Sequence, residues 1–441
     1  MATPNEQTDE RAPLLSPSHI ISTHNGLPHA DSDHAPEREK RKHDVVKLTI
    51  SSVLTLLFIS AIVAVVTIFE EGLPKDPEKA ALGVLESTPV IDGHIDLPEL
   101  VRWVYKNNIS SFDLRERMPA HVDIPRLRRG HVGGFFWSVY VSCKDDGPDF
   151  LVPTNRVRDT LEQIDVSKLL IQKYSDTFML ATSVADIREA FRVGKIASLI
   201  GVEGAHQIGN SLAVLRQYQA MGARYLTLTH SCNNAFADSA GISTPVPPTH
   251  GGLSEFGKDL VLELNRLGML VDLSHVSDDT ASQALQLSHA PVIFSHSSAR
   301  AVHNVPRNVP DYILKMIGTG KGKKDAVVMV NFASGFVARP GNATVAAVAD
   351  HVEHIGRIAG REHVAIGSDY DGVSSTPVGL EDISTYPALF TELRRRGWSR
   401  VELAGLASAN LLRVLQGAEV VARQMTHVPP SMARYEKRDD L

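Results

Sequence analysis

Along most of the chain, short apolar, β-branched runs alternate with longer stretches whose apolar positions recur every three or four residues. The short runs suit strands, whose side chains return to one face every second residue. The long ones suit helices with one buried stripe. Eight strands are expected, over 88–94, 134–141, 195–202, 224–229, 268–274, 291–295, 325–331 and 363–368. Helices are expected over 154–174, 211–222, 254–268 and 345–360, several opening on Ser, Thr or Asp and closing on Gly. Two more, near 384–397 and 400–416, finish the pattern. Such alternation predicts an α/β fold, a (β/α)8 TIM-type barrel over 85–420. A doubly wound sheet is the alternative, but no phosphate-binding glycine loop follows the first strand.

One segment breaks the rhythm. "LTISSVLTLLFISAIVAVVTIF" (48–69) runs for 22 residues without a charge. As a helix it reaches about 33 Å, enough for a hydrocarbon core of about 30 Å. A cleaved signal peptide would be shorter, nearer Met1 and followed by a small-residue cleavage site. The expectation is therefore an uncleaved signal-anchor helix. Arg38, Lys40, Arg41, Lys42 and Lys47 precede it and an acidic stretch follows. That asymmetry predicts a cytosolic N-terminus and an extracytoplasmic catalytic portion, in an endosomal, vacuolar or lysosomal lumen or at the cell surface. Residues 1–47 should form a disordered cytosolic tail, 70–84 a linker and 421–441 a C-terminal tail. No terminal hydrophobic run of the kind a GPI signal needs is present.

Composition adds three points. The net charge of −6 and the lack of a basic stripe give no reason to expect nucleic acid. The only two cysteines, Cys143 and Cys232, could pair in an oxidising compartment. Two glycosylation sequons begin at Asn108 and Asn342. In the tail, "ERAPLLS" (10–16) has the form of an acidic dileucine signal for a sorting adaptor, built on Glu10, Leu14 and Leu15.

The chemistry gathers at the strand ends. In "VIDGHIDLPE" (90–99), His94 and Asp96 stand two apart and so point the same way. Glu203, His230, His275, His296 and Asp369 follow the third, fourth, fifth, sixth and eighth expected strands. A barrel brings those ends to one face. Burying so many ionisable groups without a cation would be very costly, and imidazole with carboxylate suits Zn2+. His94 with Asp96 suits one ion and His275 with His296 another, and Glu203 between them could bridge. His351 and His354 are expected at the surface, His206 in support of the Glu203 loop, and "ELRRRGWSR" (392–400) at a solvated helix end.

The segments "DGHIDLP", "GVEGAH", "YLTLTHSCNN", "VDLSHVS", "PVIFSHSSA", "RNVPD" and "IGSDYDG" resemble the membrane dipeptidase (renal dipeptidase) family of the amidohydrolase superfamily, over about 85–418. The resemblance implies a (β/α)8 barrel with two zinc ions that hydrolyses dipeptides through a metal-bridging hydroxide. It implies zinc ligands His94, Asp96, His275 and His296 with Glu203 as bridge. It also implies His230 as the substrate-contacting oxyanion donor, Arg307 as the grip on the substrate carboxylate and Asp369 as the catalytic acid/base. A Cys143–Cys232 disulfide is implied as well. Cysteinyl-glycine and glutathione-derived conjugates are among the substrates of relatives. The chain departs from the family at Phe336, where mammalian members carry tyrosine, at Ala205, and in "CNNAFAD". The intersubunit cysteine of relatives is absent, which leaves only a non-covalent homodimer open. The alternatives are a deacylase or lactam hydrolase on the same metal site and an inactive receptor.

Overall fold

The computed structural model describes residues 35–71 and 73–440. The sorting motif at Glu10, Leu14 and Leu15 lies outside the described residues. The chain divides at Ile68 into two units. The first carries most of the helix Ala35–Glu71. Its segment Arg38–Ala64 is long and apolar enough to cross a membrane, and none of it is buried.

The second unit is built on nine parallel strands: β1 Val90–Ile95, β2 Val132–Val139, β3 Phe178–Leu180, β4 Ile196–Val202, β5 Ala223–Thr227, β6 Leu270–Asp272, β7 Val292–Phe294, β8 Ala326–Val330 and β9 Val364–Ile366. Eight close a ring in the order β1, β2, β4, β5, β6, β7, β8, β9 and back to β1. The short β3 pairs with the start of β4, outside the ring. The ring is the TIM-type barrel expected from the pattern.

Alternate residues of the strands enter two separate apolar clusters. Phe136, Leu199, Ile293, Val327 and Met329 join one. Their neighbours Phe135, Trp137, Ile200, Val292, Phe294 and Val328 join the other, with apolar residues of the surrounding helices. Parallel strands covered on both faces must be apolar at nearly every position, and the strands here are.

The helix Pro77–Ser87 starts inside the expected linker; Asp76 caps it, and Ala80, Ala81, Val84 and Leu85 are buried. It packs against the helix Tyr386–Arg395. At the other end, Arg400–Ala404, a π-helical turn at Gly405–Ala409 and Asn410–Gln424 follow without a break. The Asn410 side chain donates to the carbonyls of Arg361 and Val364, both at 2.9 Å.

Two surface expectations are corrected. His351 is completely buried. It lies on the helix Val345–Ala359 in phase with Val348, Val352 and Ile355, which all face the core. His354 is mostly buried and bonds Asp311 at 2.7 Å. The segment 392–400 is likewise no bland end. Trp398 is wholly buried, and Arg396 pairs with Asp350 and Glu353 at 2.7 and 2.8 Å.

Candidate metal centre

The strands deliver their polar residues to one rim. His94 lies in β1 and Asp96 just beyond it; Glu203, His230, His275, His296 and Asp369 follow β4, β5, β6, β7 and β9 within three residues. At the centre stands the Glu203 carboxylate, and its two oxygens face different partners. Oε2 is 3.5 Å from His94 Nε2, whereas Oε1 is 3.0 Å from His275 Nε2 and 3.3 Å from His296 Nε2. His94 Nε2 also lies 3.4 Å from Asp96 Oδ2, and His230 Nε2 3.8 Å from Glu203 Oε1. Asp369 shares a potential ligand group with His94 and His296, all donor atoms lying within 4.8 Å of one another.

These residues fit a metal. Burial holds His275 and His296 well below the ordinary histidine range, so each imidazole is neutral and offers a lone pair. The Nε2 atoms of His275 and His296 nonetheless face each other at 2.8 Å. Asp96 Oδ1 is buried without a hydrogen-bond partner. Lone pairs so arranged are satisfied by a cation between them.

The backbone is bent to reach this arrangement. His275 and Asp369 have φ of 66° and 67°, a left-handed conformation that side chains rarely adopt and that collects at functional sites. Hydrogen bonds sustain it: Ala240 N donates to the His275 carbonyl at 2.8 Å, and Asp369 N to the His94 carbonyl at 3.0 Å.

A supporting layer went unseen in the sequence. Tyr225 Oη lies 2.8 Å from His94 Nδ1, and Ser295 Oγ 2.8 Å from His296 Nδ1. Such partners fix which ring nitrogen faces the ion. Asp272, wholly buried, accepts from Ser295 N at 2.8 Å and Ser274 N at 3.1 Å and so ties β6 to β7. Asp92 accepts from His94 N at 2.8 Å, Ser368 N at 3.1 Å and the Tyr386 hydroxyl, tying β1 to β9. Burial pushes Asp92 up to about 6. An acid inside an apolar strand two or three residues before a histidine, as in "VIDGH" and "LVDLSH", was the signal available.

Arg307 stands behind the ligands. Its Nη2 donates to the His296 carbonyl at 3.0 Å and Nη1 to Ser297 Oγ at 3.3 Å, and Phe336 lies 5.6 Å from the guanidinium. Burial lowers it to about 10, which leaves it charged at neutral pH. Burial and the nearby Asp96 push Asp369 up to about 7, while Asn331 Nδ2 donates to it at 2.9 Å. His206 donates from Nε2 to the Val141 carbonyl at 2.6 Å, bracing the loop after Glu203. The Cys143–Cys232 disulfide, with Cα atoms 6.1 Å apart, joins the loop after β2 to the loop that carries His230. A cavity of about 420 Å³ opens over the centre.

Barrel and rim together define a metal-dependent hydrolase. The chain belongs to the membrane dipeptidase family, Peptidase family M19, whose family model matches residues 78–428. It is a metal-dependent peptide hydrolase of that family, a dipeptidase. It is 44% identical over 378 residues to dipeptidase verJ of Clonostachys rogersoniana, a match that covers 84% of this chain and 93% of that protein. A metallopeptidase from Rhodobacter sphaeroides, solved with a phosphinate mimic of the dipeptide L-Ala-D-Ala, superposes with a TM-score of 0.65 at 27% identity, covering 75% of this chain and 99% of that one. The structure of the probable dipeptidase PvdM from Pseudomonas aeruginosa shares the fold, with a TM-score of 0.70 at 21% identity over 79% of this chain and 100% of that one.

Proposed function

We propose that the protein is a binuclear zinc dipeptidase, anchored by the helix Ala35–Glu71, whose substrates include cysteinyl-glycine and related glutathione-derived conjugates. The observation that carries the two-ion reading is the divided Glu203 carboxylate, with one oxygen toward His94 and the other toward His275 and His296. His94 and Asp96 would hold one zinc, His275 and His296 the second, and Glu203 both. Bound there, the ions supply an acidified water and a polarised carbonyl.

The remaining steps belong to this chain's side chains. Arg307 pairs with the substrate's terminal carboxylate, which limits the substrate to two residues. His230 sits beside Glu203 and donates to the oxygen that gains charge as the carbonyl carbon becomes tetrahedral. Asp369, oriented by Asn331, takes a proton from the attacking water and passes it to the leaving amine.

The test is metal analysis of purified protein with a dipeptide panel, before and after chelation. Two zinc ions per chain and chelator-sensitive cleavage are expected. Asp369→Asn should keep the metal and lose turnover by at least about 100-fold. One ion per chain in a fully active sample would reject the bridge.

A further inference from the structure

Four carboxylates line the cavity over the metal centre: Asp96, Glu99, Glu203 and Asp369. Three have work in the reaction above and Glu99 has none. Glu99 stands in the first turn of the helix Leu97–Tyr105, one turn beyond Asp96. Its Oε1 accepts from Trp103 Nε1 at 2.9 Å, which holds the side chain at the rim. No protein cation pairs with Glu99 among the described residues.

The placement gives it a direction. Arg307 follows β7, and β8 and β9 separate β7 from β1 around the ring. A dipeptide whose carboxylate meets Arg307 and whose scissile carbonyl lies over Glu203 therefore extends its first residue toward β1, where Glu99 is. Tyr140 lines this cavity and also an adjoining one that Trp103 borders. The two rings can carry the methylene stem of a long side chain, and the adjoining cavity's cations, Arg102 and Lys144, both lie against Asp159.

We propose that Glu99 selects the N-terminal residue of the substrate, favouring dipeptides whose first side chain is cationic and disfavouring acidic ones. The proposal rests on the dipeptidase reading of the same site. Asp96, Glu203 and Asp369 face the cluster of ligands, so their charge is compensated when the centre is loaded. Burial and Asp96 push the Glu99 carboxyl up to about 8, and a lysyl or arginyl head group brought against it favours its charged form, in a half-buried setting where such a pair is stronger than in water.

The test compares lysyl-alanine, alanyl-alanine and glutamyl-alanine on the full-length wild type, Glu99→Gln and Glu99→Lys, with bound metal measured in each. In the wild type, kcat/KM should fall from lysyl to alanyl to glutamyl substrate. Glu99→Gln should compress the lysyl-to-glutamyl ratio by roughly tenfold, about what one charge-assisted contact supplies, with the change carried in KM. Glu99→Lys should invert the order. A ratio unchanged in both variants overturns the proposal, as does an equal loss on all three substrates, which would place Glu99 on the α-ammonium group instead. Wild-type protein that holds metal yet cleaves none of the three overturns the dipeptidase reading along with this one.

Discussion

Arg307 and His351 show how much a single side chain can be asked to do in this barrel. Arg307 is 4% exposed and is held by the His296 carbonyl and Ser297 Oγ, so its guanidinium is already positioned before substrate arrives. Arg307→Ala should therefore raise KM for dipeptides by roughly 10- to 100-fold, the range expected for losing a bidentate charged contact. A dipeptide amide, which lacks the carboxylate, should be nearly indifferent to the change. Steady-state kinetics on the acid and amide forms of one dipeptide decide it, and equal losses would remove Arg307 from carboxylate binding. His351 bears on stability instead. Its Nδ1 accepts from Ala299 N at 3.0 Å and its Nε2 donates to the Val337 carbonyl at 2.8 Å. Protonating Nδ1 would break the first bond inside the core, and burial accordingly lowers the group from 6.5 to about 4. The unfolded chain then binds a proton that the folded one refuses between pH 6.5 and 4. Folding stability attributable to this group is complete above the unfolded pKa and falls with pH across that window, by about 3 kcal/mol at most. His351→Gln should flatten the pH dependence of denaturant unfolding there, whereas parallel curves for variant and wild type would refute the assignment.

At the scale of elements, the ring works because small residues admit large partners. A Cβ built on Gly201 of β4 would lie 2.0 Å from the Tyr225 ring, and Tyr225 in β5 holds His94. Gly201→Ala must displace that ring, so it should destabilise the barrel and weaken metal binding together. Tyr225→Phe keeps the ring and removes only the hydroxyl. It should lower metal affinity by about 10- to 100-fold with little change in unfolding midpoint. Chelator competition and denaturant titration on both variants separate the two effects, and unaltered affinity in Tyr225→Phe would deny the hydroxyl its role. The same contrast explains what the sequence revealed. The eight ring strands were legible because each is a β-branched or aromatic run buried on both faces. β3, only Phe178–Leu180, was too short to stand out from its surroundings. The histidines and acids at strand ends were legible because their spacing is local. Tyr225 was not, since it reaches His94 from 131 positions away; Ser295 and Asp272 stand within three residues of a site histidine, a local signal that was passed over. The burial of His351 was legible too: although far from any strand end, it stands in phase with Val348 and Ile355 on the buried stripe of its helix.

For the whole molecule, three features support the proposal that the barrel unit lies across a membrane from the N-terminus. Positive charge is concentrated at Arg38, Lys40, Arg41, Lys42 and Lys47, just before the uncharged run 48–69, which favours a cytosolic N-terminus. The Cys143–Cys232 disulfide spans 89 positions and persists in an oxidising compartment. Asn108 and Asn342, both in the barrel unit, are exposed where a transferase could reach them. A single topology, with the N-terminus cytosolic and the barrel lumenal or extracellular, accounts for all three. Full-length protein expressed in a eukaryotic cell should therefore stay with membranes through an alkaline carbonate wash. It should also gain mobility on a gel after glycosidase treatment, and the double variant Asn108→Gln, Asn342→Gln should already run at the faster position. A version beginning at Leu73 behind a cleavable secretion signal should be soluble, carry the same glycans and retain dipeptide hydrolysis, because β1 to β9 and every proposed ligand lie beyond that point. Release of the full-length chain by carbonate would remove the anchor. Retention without any glycosidase shift in chain or variant would leave the anchor standing and turn the barrel toward the cytosol.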